Sequence, residues 1–257
     1  MNHRTTDGKK RIGATETSFT IIELLRDHPG ATITTLAEET GRSKSTVHNH
    51  LQTLRGMGYV VHEDGSYHLG LGFLDLGNAA RERWNLYEIA KSEMDDLVSA
   101  VGERAQLMVE EQGKGVYIYQ TKADAGIQTD SHIGATVALH ATAVGKSYLA
   151  HLPPEELEPL QKQIDLDGRT DRTLTDWETL ETEFETVREQ GYAFNDEERL
   201  VGMQAVGAPI LNDEGEALAA ISVSGPTTRM SGEWYRQEVP EMVTQAARVI
   251  SIRATYS

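Results

Sequence analysis

Residues 34–54, TTLAEETGRSKSTVHNHLQTL, constrain the fold of this chain more than any other stretch. Val47, Leu51 and Leu54 recur at i, i+4 and i+7, a spacing that places them on one stripe of a helix and turns that stripe toward a core. The opposite side carries Arg42, Ser45, Thr46, Asn49, Gln52 and Thr53, groups able to hydrogen-bond base edges and phosphates. Upstream, Thr35 with Glu38 three residues later reads as a capping box for a short helix, and Gly41 as the left-handed residue that ends it. Helix, glycine turn and a second helix with a polar outer face make the helix-turn-helix pattern. An ordinary helical hairpin with a solvated face fits the same residues.

The neighbours decide between the two. Phe19, Ile22 and Leu25, with Ile21 and Leu24 beside them, predict a preceding helix that His28-Pro29-Gly30 breaks. Gly56-Met57-Gly58 then releases the chain into two short strands, 59–62 and 67–69, around an Asp64-Gly65 turn. Three helices and a hairpin form a winged helix-turn-helix over residues 17–70, with residues 1–16 a polar, mobile arm. A bare helical hairpin does not account for this order of elements, whereas a DNA-binding module does.

The formal net charge of −16 looks wrong for such a module until it is divided along the chain. Residues 1–70 carry 8 basic and 8 acidic side chains, so 24 − 8 = 16 basic face 40 − 8 = 32 acidic in residues 71–257. The neutral part, with Lys9, Lys10 and Arg11 in its arm, can approach phosphate, while the acidic remainder is repelled from it. Lysine is also scarcer than arginine, 8 against 16, a composition expected of a halophilic archaeon that keeps molar salt inside. There the Debye length is about 3 Å, and base contacts and a doubled site must carry more of the binding. With no cysteine, zinc fingers, thiol enzymes and disulfide frameworks are excluded. No run approaches the roughly 18 apolar residues of a membrane span, and the start lacks a signal-peptide apolar run. A soluble, cytoplasmic protein is the expectation.

Beyond position 84 helices and strands alternate. A helix is predicted over 86–101, strands over 105–110 and 116–120 around Gly113-Lys114-Gly115, and a further strand over 127–133. A short helix over 140–151 is closed by Pro153-Pro154. Thr175 with Glu178 reads as a capping box opening a helix whose Leu180, Phe184 and Val187 share one stripe and which ends at Gly191. A hairpin over 205–211 and 217–224 and a last helix over 234–252 complete the pattern. Antiparallel hairpins with flanking helices imply an α+β domain.

The run Ser43-Lys44-Ser45-Thr46-Val47-His48-Asn49-His50-Leu51, the wing, and Tyr67-His68-Leu69-Gly70 followed by Phe73-Leu74-Asp75-Leu76-Gly77 resemble the IclR family of transcriptional regulators. The resemblance continues through Leu139-His140-Ala141-Thr142-Ala143-Val144-Gly145-Lys146-Ser147, Gly191-Tyr192, Asp196-Glu197-Glu198, Ala208-Pro209-Ile210 and Ser222-Val223-Ser224-Gly225-Pro226. It implies a linker helix over 71–83, with Leu71, Leu74 and Asn78 on one side, and a GAF-like effector-binding domain over 84–257. It also implies a dimer or dimer of dimers on a palindromic or pseudo-palindromic operator.

Candidate sites follow. For DNA they are Arg42, Ser43, Lys44, Ser45, Thr46, His48, Asn49 and Thr53, with His50, His62 and His68 near enough to contribute. Gly145-Lys146-Ser147 invites a phosphate-loop reading, which fails because His140 stands where the motif needs glycine. Ser222 and Ser224 lack a nucleophile elbow, so no catalytic residue is assigned. At i and i+2 they share one strand face, as an edge polar pair or as donors to a ligand; the resemblance implies the latter. It also implies effector contacts at Ala143, Val144 and Gly145, at a helix start with free backbone N–H groups, and at Asn195 and Ala205. The family often has Asp at 195 and Cys at 205, so the effector is expected to differ from the best-known ones, a small organic, sugar or aromatic acid. His132, His140 and His151 lack ligand spacing, so no metal or cofactor is expected. The expected function is a DNA-binding regulator modulated by a small metabolite. The alternative is an enzyme or metabolite-binding interaction module with a winged-helix appendage used for protein contacts.

Overall fold

The computed structural model describes residues 11–123 and 131–256, so the strand expected over 127–133 lies largely outside the described residues. Two compact units divide at Arg83/Trp84, and the class is mixed α+β.

In the first unit, α1 (Gly13–Asp27) begins inside the stretch expected to be an arm. Its inward stripe is Thr17, Ile21 and Leu25. Phe19 stays 58% exposed, because two residues at 3.6 per turn put it about 200° round the helix from Ile21. Helix α2 (Ile33–Thr40) is capped by Thr32, whose side chain accepts from the Thr35 N–H at 3.3 Å. The capping box expected at Thr35 and Glu38 is therefore displaced: Thr35 already lies in the first turn, and the cap is the last residue with extended backbone. Gly41 ends the helix at φ 63°. The second helix of the motif, α3 (Lys44–Gly56), buries Val47, Leu51 and Leu54 against Ile21, Leu25, Leu36, Val60 and Tyr67. Strands β1 (Val60–Glu63) and β2 (Ser66–Leu69) pair antiparallel. Asp64 and Gly65 turn between them at φ 49° and 82°, the two-residue turn that matches strand twist. Helix α4 (Gly72–Glu82) follows and buries none of its residues.

In the second unit the strands are β3 (Arg104–Glu111), β4 (Lys114–Lys122), β5 (Thr136–Val137), β6 (Ala193–Asp196), β7 (Met203–Leu211) and β8 (Ala217–Pro226). They form one antiparallel sheet in the order β5-β4-β3-β8-β7-β6. The turn between β3 and β4 is Gln112-Gly113, both at positive φ, one residue before the glycine pair expected to make it.

One sheet face meets α5 (Leu86–Val101) and α9 (Val239–Thr255), the latter entered through a π-helical turn, Trp234–Glu238. Ala90, Met94, Val243 and Ile250 pack there with Leu107, Ile221 and Val223. The other face carries α6 (Ala143–Leu149), α7 (Pro154–Gln161) and α8 (Trp177–Gln190), whose Val144, Leu149, Leu160, Leu180, Phe184 and Val187 pack with Met108 and Ala220. The helix expected over 140–151 is thus confined to 143–149, and Pro154 opens α7 besides closing what precedes it. Proline suits a first turn, where its missing N–H would have no partner. Asp176, not Thr175, caps α8, accepting from the Thr179 N–H at 2.8 Å.

Helix α6 lies on the sheet because β7 has no side chain at Gly207. A Cβ there would stand 2.5 Å from the Ala143 carbonyl carbon and 2.6 Å from the Val144 nitrogen, which backbone cannot vacate without moving the helix. Gly207→Ala should therefore lower the unfolding free energy by about 1–3 kcal/mol, read from urea unfolding of the full chain; an unchanged midpoint would mean that α6 is not seated so tightly.

Candidate functional site

Helix α3 starts at Ser43, whose Oγ accepts from the Thr46 N–H at 3.1 Å and shares a hydrogen bond with the Thr46 hydroxyl at 2.9 Å. Both hydroxyls are thus engaged in the cap, and Thr46 is half-buried. The Thr53 hydroxyl donates to the Asn49 carbonyl at 2.9 Å. Arg42, Lys44, Ser45, His48, Asn49 and Gln52 stand exposed beside them, so the outer face is polar along the length of the helix. The other histidines of the motif behave differently. His50 pairs through Nδ1 with the Ser18 hydroxyl of α1 at 2.7 Å. His62 stacks on Tyr67 with ring centroids 4.3 Å apart, and His68 sits over Gly30. His50 is a brace between helices rather than a group on the outer face.

The second candidate is a cleft on the α6 side of the sheet, open in part to solvent. Antiparallel register assembles its floor. Asn195 lies opposite Ala205 and Ala205 opposite Ser224, while Gly207 lies opposite Ser222 and Ser222 opposite Gln106. Side chains of directly paired residues share a face, so the serines, Asn195 and Gln106 come to one place from three strands. Ala143, Val144, Asn195, Ala205, Ser222 and Ser224 all line this cleft.

Gly145, expected with them, does not. A Cβ at Gly145 would stand 2.2 Å from the Leu139 carbonyl oxygen, so this glycine serves a tight return of the backbone. Its N–H donates to the Thr142 hydroxyl at 3.1 Å as part of the α6 cap and is not available to an anion. Asn195 is likewise engaged, Nδ2 donating to the Ala141 carbonyl at 2.6 Å. That bond fixes the turn leading into α6.

Sequence reasoning missed Gln106, Thr142 and Arg199, which also line the cleft. A lone amide in the otherwise apolar ALMV run of β3 was a signal for Gln106, and a threonine ahead of a helix was one for Thr142. Arg199 carried none. The Ser224 hydroxyl donates to Gln106 Oε1 at 3.3 Å.

Two buried clusters frame the cleft. Lys146, rejected as a phosphate-loop lysine, is 2% exposed and pairs with Glu198 at 2.7 Å and Glu183 at 2.9 Å. Burial pushes the Glu198 carboxyl up, with Lys146 opposing it. Behind the floor, the Tyr235 hydroxyl, in the π-helical turn, donates among Asp196 Oδ1 at 2.9 Å and the carbonyls of Asn195 and Ala205 at 3.2 and 3.3 Å.

His140 and His151 serve the scaffold. His140 meets the Asp167 carbonyl at 3.1 Å and His151 the Ser147 carbonyl at 2.9 Å. Burial lowers both pKa values from the ordinary 6.5, more than these bonds raise them. Protons then bind the unfolded chain more readily, so the contribution of both rings to stability is present above that value and falls as pH drops below it. NMR titration should place both ring midpoints below 6.5; a midpoint at or above it for either ring would contradict the burial argument.

Residues 14–64 match the IclR helix-turn-helix domain and residues 78–252 the bacterial transcriptional regulator IclR C-terminal domain. The chain is 33% identical over 248 residues to the probable HTH-type transcriptional regulator ArcR of Halobacterium salinarum, covering 95% of this chain and 94% of that protein. It is 33% identical over 240 residues to the HTH-type transcriptional regulator KdgR of Escherichia coli, covering 93% and 91%. The crystal structure of the Thermotoga maritima IclR superposes with a TM-score of 0.83 at 29% identity, covering 95% of this chain and 99% of that one.

Proposed function

The chain belongs to the IclR family of DNA-binding transcriptional regulators, and we propose that a small organic or sugar acid bound in the α6 cleft sets its affinity for an operator. The convergence of Ser222, Ser224, Asn195 and the start of α6 on one cleft carries this reading. A few convergent polar groups in a largely apolar recess are what a small metabolite site needs. Ser222 donates to ligand oxygens, Ser224, whose hydroxyl proton goes to Gln106, accepts from a ligand hydroxyl, and Ala143 and Val144, being modest in size, let the ligand reach the backbone. Its relatives are named regulators, and the chain is a regulator rather than an enzyme.

On the DNA side, Arg42, Ser45, His48 and Asn49 read or hold the operator, Ser43 and Thr46 order the start of the helix, and Lys44 meets phosphate, while the Thr53 hydroxyl stays on the Asn49 carbonyl. Helix α4 and the residue before it support self-association: Leu71 is 84% and Leu74 62% exposed, and three residues apart they share one side that a second copy would cover. Two copies then call for a palindromic or pseudo-palindromic operator. No helix among the described residues is long and apolar enough to cross a membrane, in keeping with a cytoplasmic regulator. The ligand acts by its differential affinity for two conformations, a coupling of about 1–3 kcal/mol or about 5- to 150-fold in operator affinity.

The test is a binding series against the gene's own upstream DNA at several salt concentrations. Asn49→Ala should cost about 1–3 kcal/mol on the operator and relax preference at one base position. Lys44→Ala should weaken specific and random DNA alike and reduce the salt slope by about one. Equal losses on both DNAs for Asn49→Ala would remove it from base readout, and absence of any sequence-specific shift would overturn the regulator's direct binding at that site.

A further inference from the structure

We propose that Gln106, by holding the proton of the Ser224 hydroxyl, makes the cleft select a hydroxy acid over the corresponding oxo acid; this rests on the cleft reading above. Gln106 is then a positioning residue, which acts on the ligand through Ser224.

Gln106 of β3 stands directly opposite Ser222 of β8, yet its side chain serves the other serine: the Ser224 hydroxyl donates to Gln106 Oε1 at 3.3 Å. On its far side Gln106 Nε2 donates to Gln120 Oε1, opposite it on β4, at 3.4 Å. The bonds therefore run one way across three strands, from Ser224 through Gln106 to Gln120. With its nitrogen turned to Gln120, Gln106 can offer Ser224 only its oxygen, and an amide oxygen only accepts. The Ser224 proton is committed, and what Ser224 leaves for a ligand is the lone pairs of its oxygen. Ser222 is the opposite case. It is 3% exposed, and its hydroxyl is bonded to no described residue, so it keeps a proton to give.

Two like side chains on one strand face thus present opposite polarity. At about 3.3 Å of rise per residue they stand about 7 Å apart, within the span of one small molecule. Ser222 suits a carboxylate or any other oxygen acceptor, whereas Ser224 calls for a donor. Among the oxygen functions of small acids, an ionised carboxylate and a ketone only accept, and a hydroxyl can donate. An oxo acid can draw the Ser224 proton onto its ketone only by taking it from Gln106, itself 3% exposed. That would leave a desolvated amide oxygen without a partner, a loss of about 5- to 150-fold in affinity.

The experiment titrates the full chain by calorimetry with three- to eight-carbon acids that carry one further substituent at C2, C3 or C4. Each is used as the hydroxy acid, as the oxo acid, and as the fluoro acid, which keeps the tetrahedral shape and cannot donate. The wild type should bind at least one hydroxy acid, with its oxo and fluoro counterparts weaker by about 5- to 150-fold. Gln106→Met, close in length and without the acceptor, releases the Ser224 proton. The oxo acid should then gain until it lies within about threefold of the hydroxy acid, which itself changes little. A gain of binding cannot come from misfolding. Ser224→Ala should remove the preference from the other side, by weakening the hydroxy acid and leaving the oxo acid unchanged, and it decides the matter if Gln106→Met does not fold. An oxo acid that binds the wild type as tightly as its hydroxy acid, or a preference that survives in Gln106→Met or in Ser224→Ala, overturns the role of Gln106 and leaves the cleft reading standing. No binding of any of these acids by the folded wild type overturns both.

Discussion

One ammonium group holds the effector-side unit together. Lys146 leaves α6, is buried, and meets Glu183 from α8 and Glu198 from the strap between β6 and β7. A buried ion pair of this kind is a weak source of stability, because removing the charges from water costs several kcal/mol per ion. Its strength lies in direction. Breaking it would leave a carboxylate stranded in the interior, so three segments far apart in sequence have one arrangement in which all charges are met. The cleft lies on the same frame: the helix whose start faces it, the strap over it, and the strand β6 that carries Asn195.

Two close approaches complete that frame. At Gly207 the sheet comes within van der Waals reach of the first residues of α6, and at Gly145 the chain folds back on Leu139. Neither glycine touches the cleft directly, and both decide its shape. From the opposite side of the sheet, the Tyr235 hydroxyl reaches Asp196 and the carbonyls of Asn195 and Ala205. Burial raises its pKa, and that of Asp196 ends lower because the bonds from Tyr235, Arg236 and Gln204 outweigh the burial that would raise it. A contact therefore runs from the backbone of cleft residues to the π-helical turn that enters α9, which any movement of Asn195 would disturb.

The first unit is built on different terms. Its core is a small set of mostly aliphatic side chains from three helices and the hairpin, and its polar bonds include local caps at Thr32 and Ser43 and one longer brace between Ser18 and His50. Local caps and periodic stripes are what a sequence displays openly, and the helix-turn-helix and wing were readable from residue spacing. The errors were also local. The Phe19 stripe was rotated, and both capping boxes were misplaced by one to three positions. Several threonines in a row offer near-equal caps, and only the backbone conformation selects among them.

In the larger unit the pairing of Ser222 with Ser224 on one face was legible, since alternation along a strand is a property of the chain itself. That Gln106 would join them was not, because it depends on which strand lies beside β8. Arg199 was hidden for the same reason: nothing near it in the chain says that its strap will be pinned by Thr170, Thr173 and Lys146. The sequence by itself determined the two kinds of unit, the inward stripes and the polar outer face of α3, all of which follow from helix and strand periodicity. The tertiary structure alone decided which polar groups converge and which are consumed in holding the fold. Those outcomes depend on desolvation and on partners brought from 25 to more than 100 residues away.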